Sequence, residues 1–375
     1  MIILHVIVGL RVGGAELMLR RLVLAHQGSA EFVHHVVSLT DLGKIGAELR
    51  ANRISVTCLE MKSPLDILRV MVRLVKLMRA LRPTVVQTWM YHSDLLGGIA
   101  ASLAGVRKII WNIRTTNISS TGAIGTRIVR RICAVTSSWI PDTILSVAEA
   151  ARTKHVALGY ANDRMQVIPN GFDTAHFVAD AAARERLRAV FSYAPSDMVV
   201  GSVGRYHAVK DHRNFIRAAG IVLRTRSHIK FCLVGRDCDA SNAALVHEVA
   251  LTGFAGNFLL LGERDDVAAC LNAFDIFCLH SLNEGFPNSL GEAMATGLPC
   301  VSTDVGDAQA LLGPTLRAVE RGNPIALAES LEAMLTLDDD ARAAHGDRGR
   351  ARICESYSLA KICEQYECLY RNANV

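Results

Sequence analysis

The chain has 375 residues, half of them hydrophobic, and its 41 Lys and Arg against 36 Asp and Glu give a formal net charge of +5. A chain of this length can bury two cores, and no apolar run reaches the length of about 18 residues that a membrane-spanning helix needs. The ten cysteines are scattered without a C-x-x-C pair, which disfavours zinc or redox chemistry and favours the reduced, buried thiols of a cytosolic protein.

Apolar runs alternate with helical patterns along the whole chain, which is typical of parallel sheets with helical crossovers. The first run lacks the basic region and the cleavage site of a signal peptide, so we expect a strand there. The first series of predicted strands is Ile2–Leu10, His35–Thr40, Ser55–Leu59, Thr84–Trp89, Lys108–Ile113, Thr143–Val147 and Met165–Ile168. The second series is Met198–Val203, Lys230–Val234, Phe258–Leu261, Asp275–Leu279 and Cys300–Thr303. Two series predict an α/β fold with two doubly wound, Rossmann-like domains, connected by residues 170–195.

A pair of glycines, Gly13 and Gly14, separates the first predicted strand from an apolar-periodic helix. Because ligands of open parallel sheets bind at the carboxyl ends of the strands, glycines at this point would let a phosphate or a sugar approach the backbone. A plain tight turn is an equally good interpretation. The G-x-G-x-x-G fingerprint is absent, which disfavours a dehydrogenase.

The two halves of the chain differ in charge. Residues 1–170 contain 21 Lys and Arg against 10 Asp and Glu, whereas the remaining residues contain 20 against 26. Much of the positive charge lies on an amphipathic helix predicted over residues 65–81 and on a later basic cluster: Arg69, Arg73, Lys76, Arg79, Arg127, Arg130 and Arg131. Such a surface attracts anionic lipid headgroups, although a crossover helix with a solvated basic face is an equal alternative.

Polar and aromatic residues follow the predicted strand 84–89. His92 lies there, before a helix predicted over residues 95–104, and is either a catalytic residue or a cap of its own loop. Trp111 and Arg114, at the next predicted strand, either line the same site or are a core tryptophan and an exposed arginine.

Two cations follow the predicted strand 198–203. Arg205 comes soon after the strand, and Lys210 precedes a helix that opens near Asp211. Together they would neutralise a diphosphate; otherwise they are solvated surface cations. Further along, Arg264 lies between a predicted strand and a helix start whose acidic residues suit the helix dipole.

The run 281–300 places two carboxylates, Glu284 and Glu292, on either side of a turn and a helix start. A proline in the turn excludes helix there, so we expect the helix to begin near Asn288 or Ser289. Ser289 and Glu292 have the spacing of a capping box. The helix N-terminus would bind a phosphate or a polyol, and the candidates are Phe286, Pro287, Asn288, Ser289 and Leu290. The alternative is that Glu292 only caps the helix and Glu284 is a solvated loop acid.

This run resembles the signature of retaining, nucleotide-sugar-dependent glycosyltransferases, the family-four or group 1 set. The glycines after the first strand and the pair Arg205 and Lys210 match the same family, and the resemblance covers nearly the whole chain. It implies the GT-B fold, in which two Rossmann-like domains face a cleft. The implied division is an acceptor-binding domain over residues 1–169, a nucleotide-sugar-binding domain over 170–355, and a C-terminal helix over 356–375 that crosses back to the N-terminal domain.

The same resemblance implies roles for individual residues. Glu284 and the turn amides would hold the donor sugar, Glu292 the nucleotide ribose, and the loop of Arg264 the base, while the two cations would stabilise the leaving diphosphate. At two positions where relatives often have histidines this chain has Gln87 and Trp89, so one histidine remains. The implied catalytic residues are His92, Glu284, Arg205 and Lys210, and the implied donor-binding residues are Gly13, Gly14, Arg205, Lys210, Arg264, Glu284, Phe286, Pro287, Asn288, Ser289, Leu290 and Glu292.

The resemblance predicts a retaining transferase that moves a hexose or N-acetylhexosamine from a nucleotide-diphosphate sugar, expected to be UDP-linked, to a glycan or lipid-linked acceptor. The process would be bacterial surface polysaccharide synthesis (lipopolysaccharide, capsule or exopolysaccharide), in the cytoplasm or peripherally at the inner face of an anionic membrane. No metal, other cofactor or nucleic acid is expected. The alternatives are a nucleotide-sugar epimerase, a glucan synthase, and a non-catalytic nucleotide-sugar-binding subunit of a glycan-assembly complex.

Overall fold

The computed structural model describes residues 1–116, 124–314 and 316–372. The strands are β1 Ile2–Ile7, β2 Val33–Ser38, β3 Ser55–Cys58, β4 Val85–Trp89, β5 Lys108–Ile113, β6 Thr143–Ser146, β7 Met165–Val167, β8 Val199–Val203, β9 Lys230–Val234, β10 Phe258–Gly262, β11 Ile276–Leu279 and β12 Cys300–Ser302. The α-helices are α1 Gly14–Ala25, α2 Gly43–Ala51, α3 Ile67–Leu81, α4 Tyr91–Ala104, α5 Ile124–Thr136, α6 Glu149–Ala157, α7 Ala181–Val190, α8 His212–Leu223, α9 Ala243–Ala250, α10 Val267–Asn272, α11 Asn288–Thr296, α12 Ala308–Leu312, α13 Pro324–Thr336, α14 Asp339–Arg352 and α15 Leu359–Arg371. Among these helices of the described residues, none is both long enough and apolar enough to cross a bilayer.

The chain folds as two compact units, one made of Met1–Gly171 with Leu359–Val375 and the other of Phe172–Ser358. The sheet of the first unit has the strand order β3-β2-β1-β4-β5-β6-β7, and that of the second has the order β10-β9-β8-β11-β12. Neighbouring strands pair in parallel, for example β1 with β2 and β4, and β8 with β9 and β11. The predicted α/β fold with two doubly wound sheets is therefore confirmed, as are the predicted strands to within a few residues at each end.

The sheet of the first unit is covered on both faces, because successive side chains of a strand point to opposite sides. Ile3 and Ile7 of β1 pack in one core with α1, α2 and α15, while Leu4 and Val6 pack in the other core with α3, α4 and α5. In the second unit, Phe215 of α8 packs with strands β8, β9 and β11 and with helix α13.

In each sheet the strand order reverses at one place. β1 lies between β2 and β4, and β8 lies between β9 and β11. In open parallel sheets the crevice outside the carboxyl ends of the strands at such a reversal is where ligands bind. Gly13 lies in the loop after β1, and His92 lies in the helix turn that directly follows β4. The loops that follow β8 and β11 carry Lys210 and Glu284.

Two local expectations from the sequence were wrong. The helix predicted over residues 95–104 begins at Tyr91, because Met90 adopts a positive φ of 71° and turns the chain directly from β4 into α4. His92 therefore lies in the first turn of a helix and not in a loop. The ten cysteines are free thiols, but Cys354 and Cys368 are exposed and Cys58 is partly exposed, so only seven are buried.

Three buried histidines form a chain of hydrogen bonds through the first unit. The indole N–H of Trp89 donates to Nδ1 of His5 at 3.3 Å, and an indole can only donate. Nε2 of His5 then donates to Nδ1 of His34 at 2.8 Å, and Nε2 of His34 donates to Nδ1 of His26 at 2.9 Å. Nε2 of His26 lies 3.3 Å from Oε1 of Glu367 on α15. The donor at each step thus fixes the tautomer of the next histidine along this series of hydrogen bonds, and all three imidazole rings are neutral.

Acid is expected to destabilise the protein through this chain. Burial lowers the pKa of His34 to about 3, and it also lowers the pKa values of His5 and His26. Because the unfolded state binds protons that the folded state does not, this stability is present above pH 6.5 and is lost as the pH falls towards 3. For His34 the loss is about 2 kcal/mol at pH 5, and His5 and His26 act in the same direction.

Urea unfolding at pH 7.5 and pH 5 measures this loss. Burial raises the pKa of Asp94 to about 7, so protonation of Asp94 stabilises the folded state as the pH falls, opposite to the histidines. The contribution of the histidines is therefore isolated by comparing the wild type with His34→Gln. The variant should show a shallower pH dependence, and the exposed-site control His228→Gln should not. Equal slopes for all three proteins would contradict the expectation.

Candidate functional site

An ion pair joins the two loops at the strand-order reversal of the second unit. Nζ of Lys210 lies 2.5 Å from Oε1 of Glu284, and the hydroxyl of Ser281 donates to the same oxygen at 2.6 Å. Both charged side chains are largely buried, with 22% of the lysine and 12% of the glutamate side chain exposed. The two predicted catalytic residues, 74 positions apart in the sequence, thus form one centre.

Backbone hydrogen bonds hold the two loops together. The N–H groups of Leu282 and Asn283 both point at the carbonyl of Val209, at 2.8 and 3.4 Å. A short 3-10 turn, Ala208–Lys210, presents that carbonyl and ends at Asp211, which has a φ of 51°. The lysine and the glutamate therefore meet because their backbones are clamped to each other.

His280, at the end of β11, is a buried support that the sequence did not reveal. Its Nδ1 donates to the carbonyl of Lys210 at 2.5 Å, so its Nε2 must accept from the hydroxyl of Ser202 on β8, at 2.8 Å. The ring stacks on Phe215, and burial holds its pKa well below the usual histidine range. His280 is therefore a neutral bridge that fixes the lysine turn on the sheet.

Arg205 is solvent-exposed, with no ion pair to any described residue, and it directly follows Gly204, where an added Cβ would lie 3.6 Å from the Lys210 side chain. Its loop is tied to the next one, since the N–H of Tyr206 donates to the carbonyl of Arg236 at 2.8 Å. An exposed guanidinium on a held backbone, next to a second cation, suits a diphosphate.

Helix α11 begins at Asn288 with Pro287 as its N-cap, and no side chain caps it. The predicted capping box of Ser289 and Glu292 was therefore wrong: the proline already ends the turn, so the serine lies inside the first turn and the glutamate lies in the second. The N–H groups of Ser289 and Leu290 fall where a helix supplies no acceptor of its own, which leaves the N-terminus suited to an anion.

Phe286 faces inward and anchors the turn before α11. Its ring is buried and stacks with that of Phe172 at 6.0 Å. A Cβ on Gly291, one turn into α11, would overlap the Phe172 ring, so only glycine fits there. The apolar residues of the predicted signature thus hold the backbone of the turn.

Replacing Glu292 tests the role implied for it. Because no side-chain hydrogen bond caps α11, Glu292→Gln should not show the loss of about 1 kcal/mol that removal of a helix cap causes. If the carboxylate binds the nucleotide ribose, the affinity for nucleoside diphosphate should fall by about 1–3 kcal/mol, the cost of losing a charged hydrogen bond. Isothermal titration measures the affinity, with the exposed Glu185→Gln as control. Wild-type affinity in Glu292→Gln would exclude the ribose contact.

Arg264, predicted to lie near the base, is held by a neighbour. Its guanidinium makes two hydrogen bonds of 2.7 Å to the carboxylate of Asp266, which raises its pKa, and it lies over the ring of Phe191. The loop follows β10, which is separated from β8 by β9, so it lies about 10 Å from the loop after β8 at the usual strand spacing.

In the first unit the glycine loop carries an anion of its own. Gly13 caps α1, and the carboxylate of Glu16 folds back over it so closely that a Cβ on the glycine would clash. Burial raises the pKa of Glu16. The position where the sequence suggested a phosphate or a sugar is therefore covered by a carboxylate, which favours a polyol hydroxyl there over a phosphate.

His92 is half-buried in the first turn of α4, and burial lowers its pKa. Two residues further on, the buried Asp94 accepts a hydrogen bond of 2.6 Å from Thr88 at the end of β4. A neutral imidazole on a fixed turn can accept or donate one hydrogen bond to a ligand.

Trp111 and Arg114 are structural. Trp111 is fully buried in the core with α4, which confirms the core alternative for the tryptophan. The same alternative expected an exposed Arg114, and this part was wrong. The guanidinium of Arg114 donates to Asn112, to Asn170 and to Tyr366 of α15. It joins β5 to the C-terminal helix within the first unit.

Comparison with known proteins agrees with this geometry. The family model described as Glycosyltransferase Family 4 matches residues 12–176, and that described as Glycosyl transferases group 1 matches residues 197–337. The lipopolysaccharide core biosynthesis mannosyltransferase LpsB of Rhizobium meliloti is 32% identical over 248 residues, which are 63% of this chain and 70% of LpsB. The chain belongs to the group 1, family 4 glycosyltransferases. The family predicted from the sequence is thus confirmed.

Other members of this glycosyltransferase family are more distant. The UDP-Gal:alpha-D-GlcNAc-diphosphoundecaprenol alpha-1,3-galactosyltransferase of Escherichia coli is 26% identical over 238 residues, 63% of this chain and 61% of the relative. The chain spans only 36% to 61% of the length of several curated relatives that it matches. Crystal structures of Anabaena Alr3699/HepE share the fold: the one with UDP has a TM-score of 0.88 at 19% identity, covering 99% of this chain and all of HepE.

Proposed function

We propose that the chain is a retaining glycosyltransferase that moves a hexose or N-acetylhexosamine from a UDP-linked sugar to a glycan or lipid-linked acceptor. The observation that carries the proposal is the largely buried Lys210–Glu284 pair, in the same unit as the exposed Arg205 and the uncapped first turn of α11. HepE has been crystallised with UDP and with UDP-glucose, and the Escherichia coli relative is named for UDP-Gal and a diphosphoundecaprenol acceptor. These names, with that of LpsB, support surface polysaccharide synthesis as the process. We propose the cytoplasmic side of a membrane as its place.

The diphosphate would be held by side-chain cations. The ammonium of Lys210 has three N–H donors, so it can keep Glu284 and still donate to a phosphate oxygen. Arg205 adds a planar pair of donors, and the first turn of α11 adds N–H groups and a positive dipole end. Negative charge grows on the diphosphate as its bond to the anomeric carbon breaks, so these groups bind the transition state more tightly than the donor.

The transfer itself would exchange one carbon–oxygen bond for another. The acceptor hydroxyl attacks the anomeric carbon on the face from which the diphosphate leaves, and its proton passes to the departing phosphate oxygen. Glu284, held by Lys210 and Ser281, would accept a hydrogen bond from a donor-sugar hydroxyl. His92 and the loop of Gly13 and Gly14, at the strand-order reversal of the first unit, would contact the sugar. We propose that no metal or other cofactor takes part.

Release of nucleoside diphosphate from a panel of UDP-, GDP- and ADP-sugars tests the proposal. Release should be slow without acceptor and faster with a lipid-linked glycan extract, and proton NMR should show that the product keeps the anomeric configuration of the donor. Chelator should leave the rate unchanged. An inverted product would contradict retention, loss of activity with chelator would contradict metal independence, and no release from any donor would contradict transfer.

A further inference from the structure

A pocket of the first unit lies at the amino ends of strands β4 and β5. Its volume is about 830 Å³, within the range of about 300–1,000 Å³ that small-molecule sites occupy, and the last residues of α3 and α4 complete its walls. The register pairs Val85 with Lys108, which brings the residues before the two strands side by side. Because β4 has five residues and a strand rises about 3.3 Å per residue, the pocket is about 15 Å from the turn that carries His92.

The walls of this pocket are basic. Four cations line it: Arg79, Arg82, Arg107 and Lys108. Among its described lining residues the one acidic side chain is Asp142, whose Oδ2 accepts a hydrogen bond of 2.7 Å from the backbone N–H of Ile109. The guanidinium of Arg79 donates to the carbonyl of Leu103 at 3.0 Å. The side chains of the other three cations form no hydrogen bond and no ion pair within the part of the chain that the structure describes.

We propose that this pocket binds the diphosphate group of a small molecule. Like charges that line one pocket repel each other, and a bound anion removes that repulsion. A guanidinium binds phosphate oxygens through two parallel hydrogen bonds, and Arg82 and Arg107 both have donors to spare. The backbone carbonyls at the ends of α3 and α4 would accept hydrogen bonds from hydroxyl groups in the rest of the ligand. The proposal does not depend on the transferase reaction.

Isothermal titration of pyrophosphate into the variant Arg205→Ala, Lys210→Ala tests this pocket separately from the proposed donor site. At physiological salt, where diffuse attraction between exposed charges is screened, one pyrophosphate per chain should bind. Adding Arg82→Gln and Arg107→Gln, which gives the pocket variant, should weaken binding by about tenfold per arginine. Both arginines are exposed, so near-ultraviolet circular dichroism should show unchanged folding. Titration with UDP distinguishes the two sources of a diphosphate: tighter binding than that of pyrophosphate indicates a nucleotide, and equal binding indicates the free anion.

Two further variants in the same background complete the test. Asp142→Asn keeps an oxygen acceptor for the N–H of Ile109 but removes a negative charge from the pocket, so pyrophosphate should bind more tightly. The matched control, Arg186→Gln with Arg224→Gln, removes two exposed arginines of the second unit and should leave the affinity unchanged. The proposal is overturned if neither pyrophosphate nor UDP binds the background variant, if the pocket variant binds as tightly as its background, or if the matched control loses binding equally. Weaker binding in Asp142→Asn would likewise contradict it.

Discussion

Lys210→Ala is expected to lower the turnover of sugar transfer by about 10²–10³-fold, the usual cost of removing one preorganised donor to a developing negative charge. The Michaelis constant for the donor should rise by less, about tenfold, since the charge on the diphosphate is larger in the transition state than in the bound donor. Arg205→Ala should behave in the same way with a smaller effect on stability, because its side chain is exposed and makes no ion pair among the described residues. Steady-state kinetics with the donor identified in the panel measure both constants.

The Lys210→Ala variant needs a folding control, because it removes the ammonium group that forms the ion pair with the largely buried carboxylate of Glu284. Circular dichroism at the assay temperature shows whether the variant is folded, and Arg224→Ala controls for the loss of an exposed cation from the same unit. A change confined to the Michaelis constant in Lys210→Ala and Arg205→Ala would contradict their role on the leaving group.

His280→Phe is expected to lower both stability and turnover. Phenylalanine keeps the stacking on Phe215, but it leaves the carbonyl of Lys210 and the hydroxyl of Ser202 without their buried partner. Each unpaired group costs about 1–3 kcal/mol, which urea unfolding measures. Turnover should fall because the turn that carries Lys210 is no longer fixed.

A double variant separates positioning from simple destabilisation. If His280 acts through Lys210, His280→Phe combined with Lys210→Ala should turn over no more slowly than Lys210→Ala alone. An unchanged turnover in the folded His280→Phe variant would show that the histidine has only a structural role. The exposed His228→Phe is the matched control.

The alternation of apolar runs and helical patterns predicted the strands, because buried parallel strands are nearly continuous hydrophobic runs. The motif residues assigned the candidate chemistry to particular loops, and that assignment stays a prediction. Local sequence patterns do not determine the order of the strands in a sheet. That the loops after β8 and β11 lie next to each other could therefore be expected only from the family resemblance.

Residues whose partners lie far away in the sequence were missed. In the sequence His280 is an ordinary histidine after a predicted strand. Its two hydrogen-bond partners, Ser202 and Lys210, are 78 and 70 positions away. The chain of His5, His26 and His34 depends on the register between β1 and β2, which no local pattern gives. The capping box shows the opposite error: Ser289 and Glu292 match the local rule, but Pro287 had already started the helix.

The central claim is that Arg205, Lys210 and the Glu284 loop hold a nucleotide-diphosphate sugar. It is tested most directly by the melting temperature of the full chain across a panel of nucleotide sugars, because a ligand that binds only the folded state raises that temperature by mass action. We predict a rise with at least one UDP-sugar in the wild type and in Arg224→Ala, and a much smaller rise at the same concentration in the double variant Arg205→Ala, Lys210→Ala. The absence of any rise in the wild type, or a full rise in the double variant, would contradict the claim.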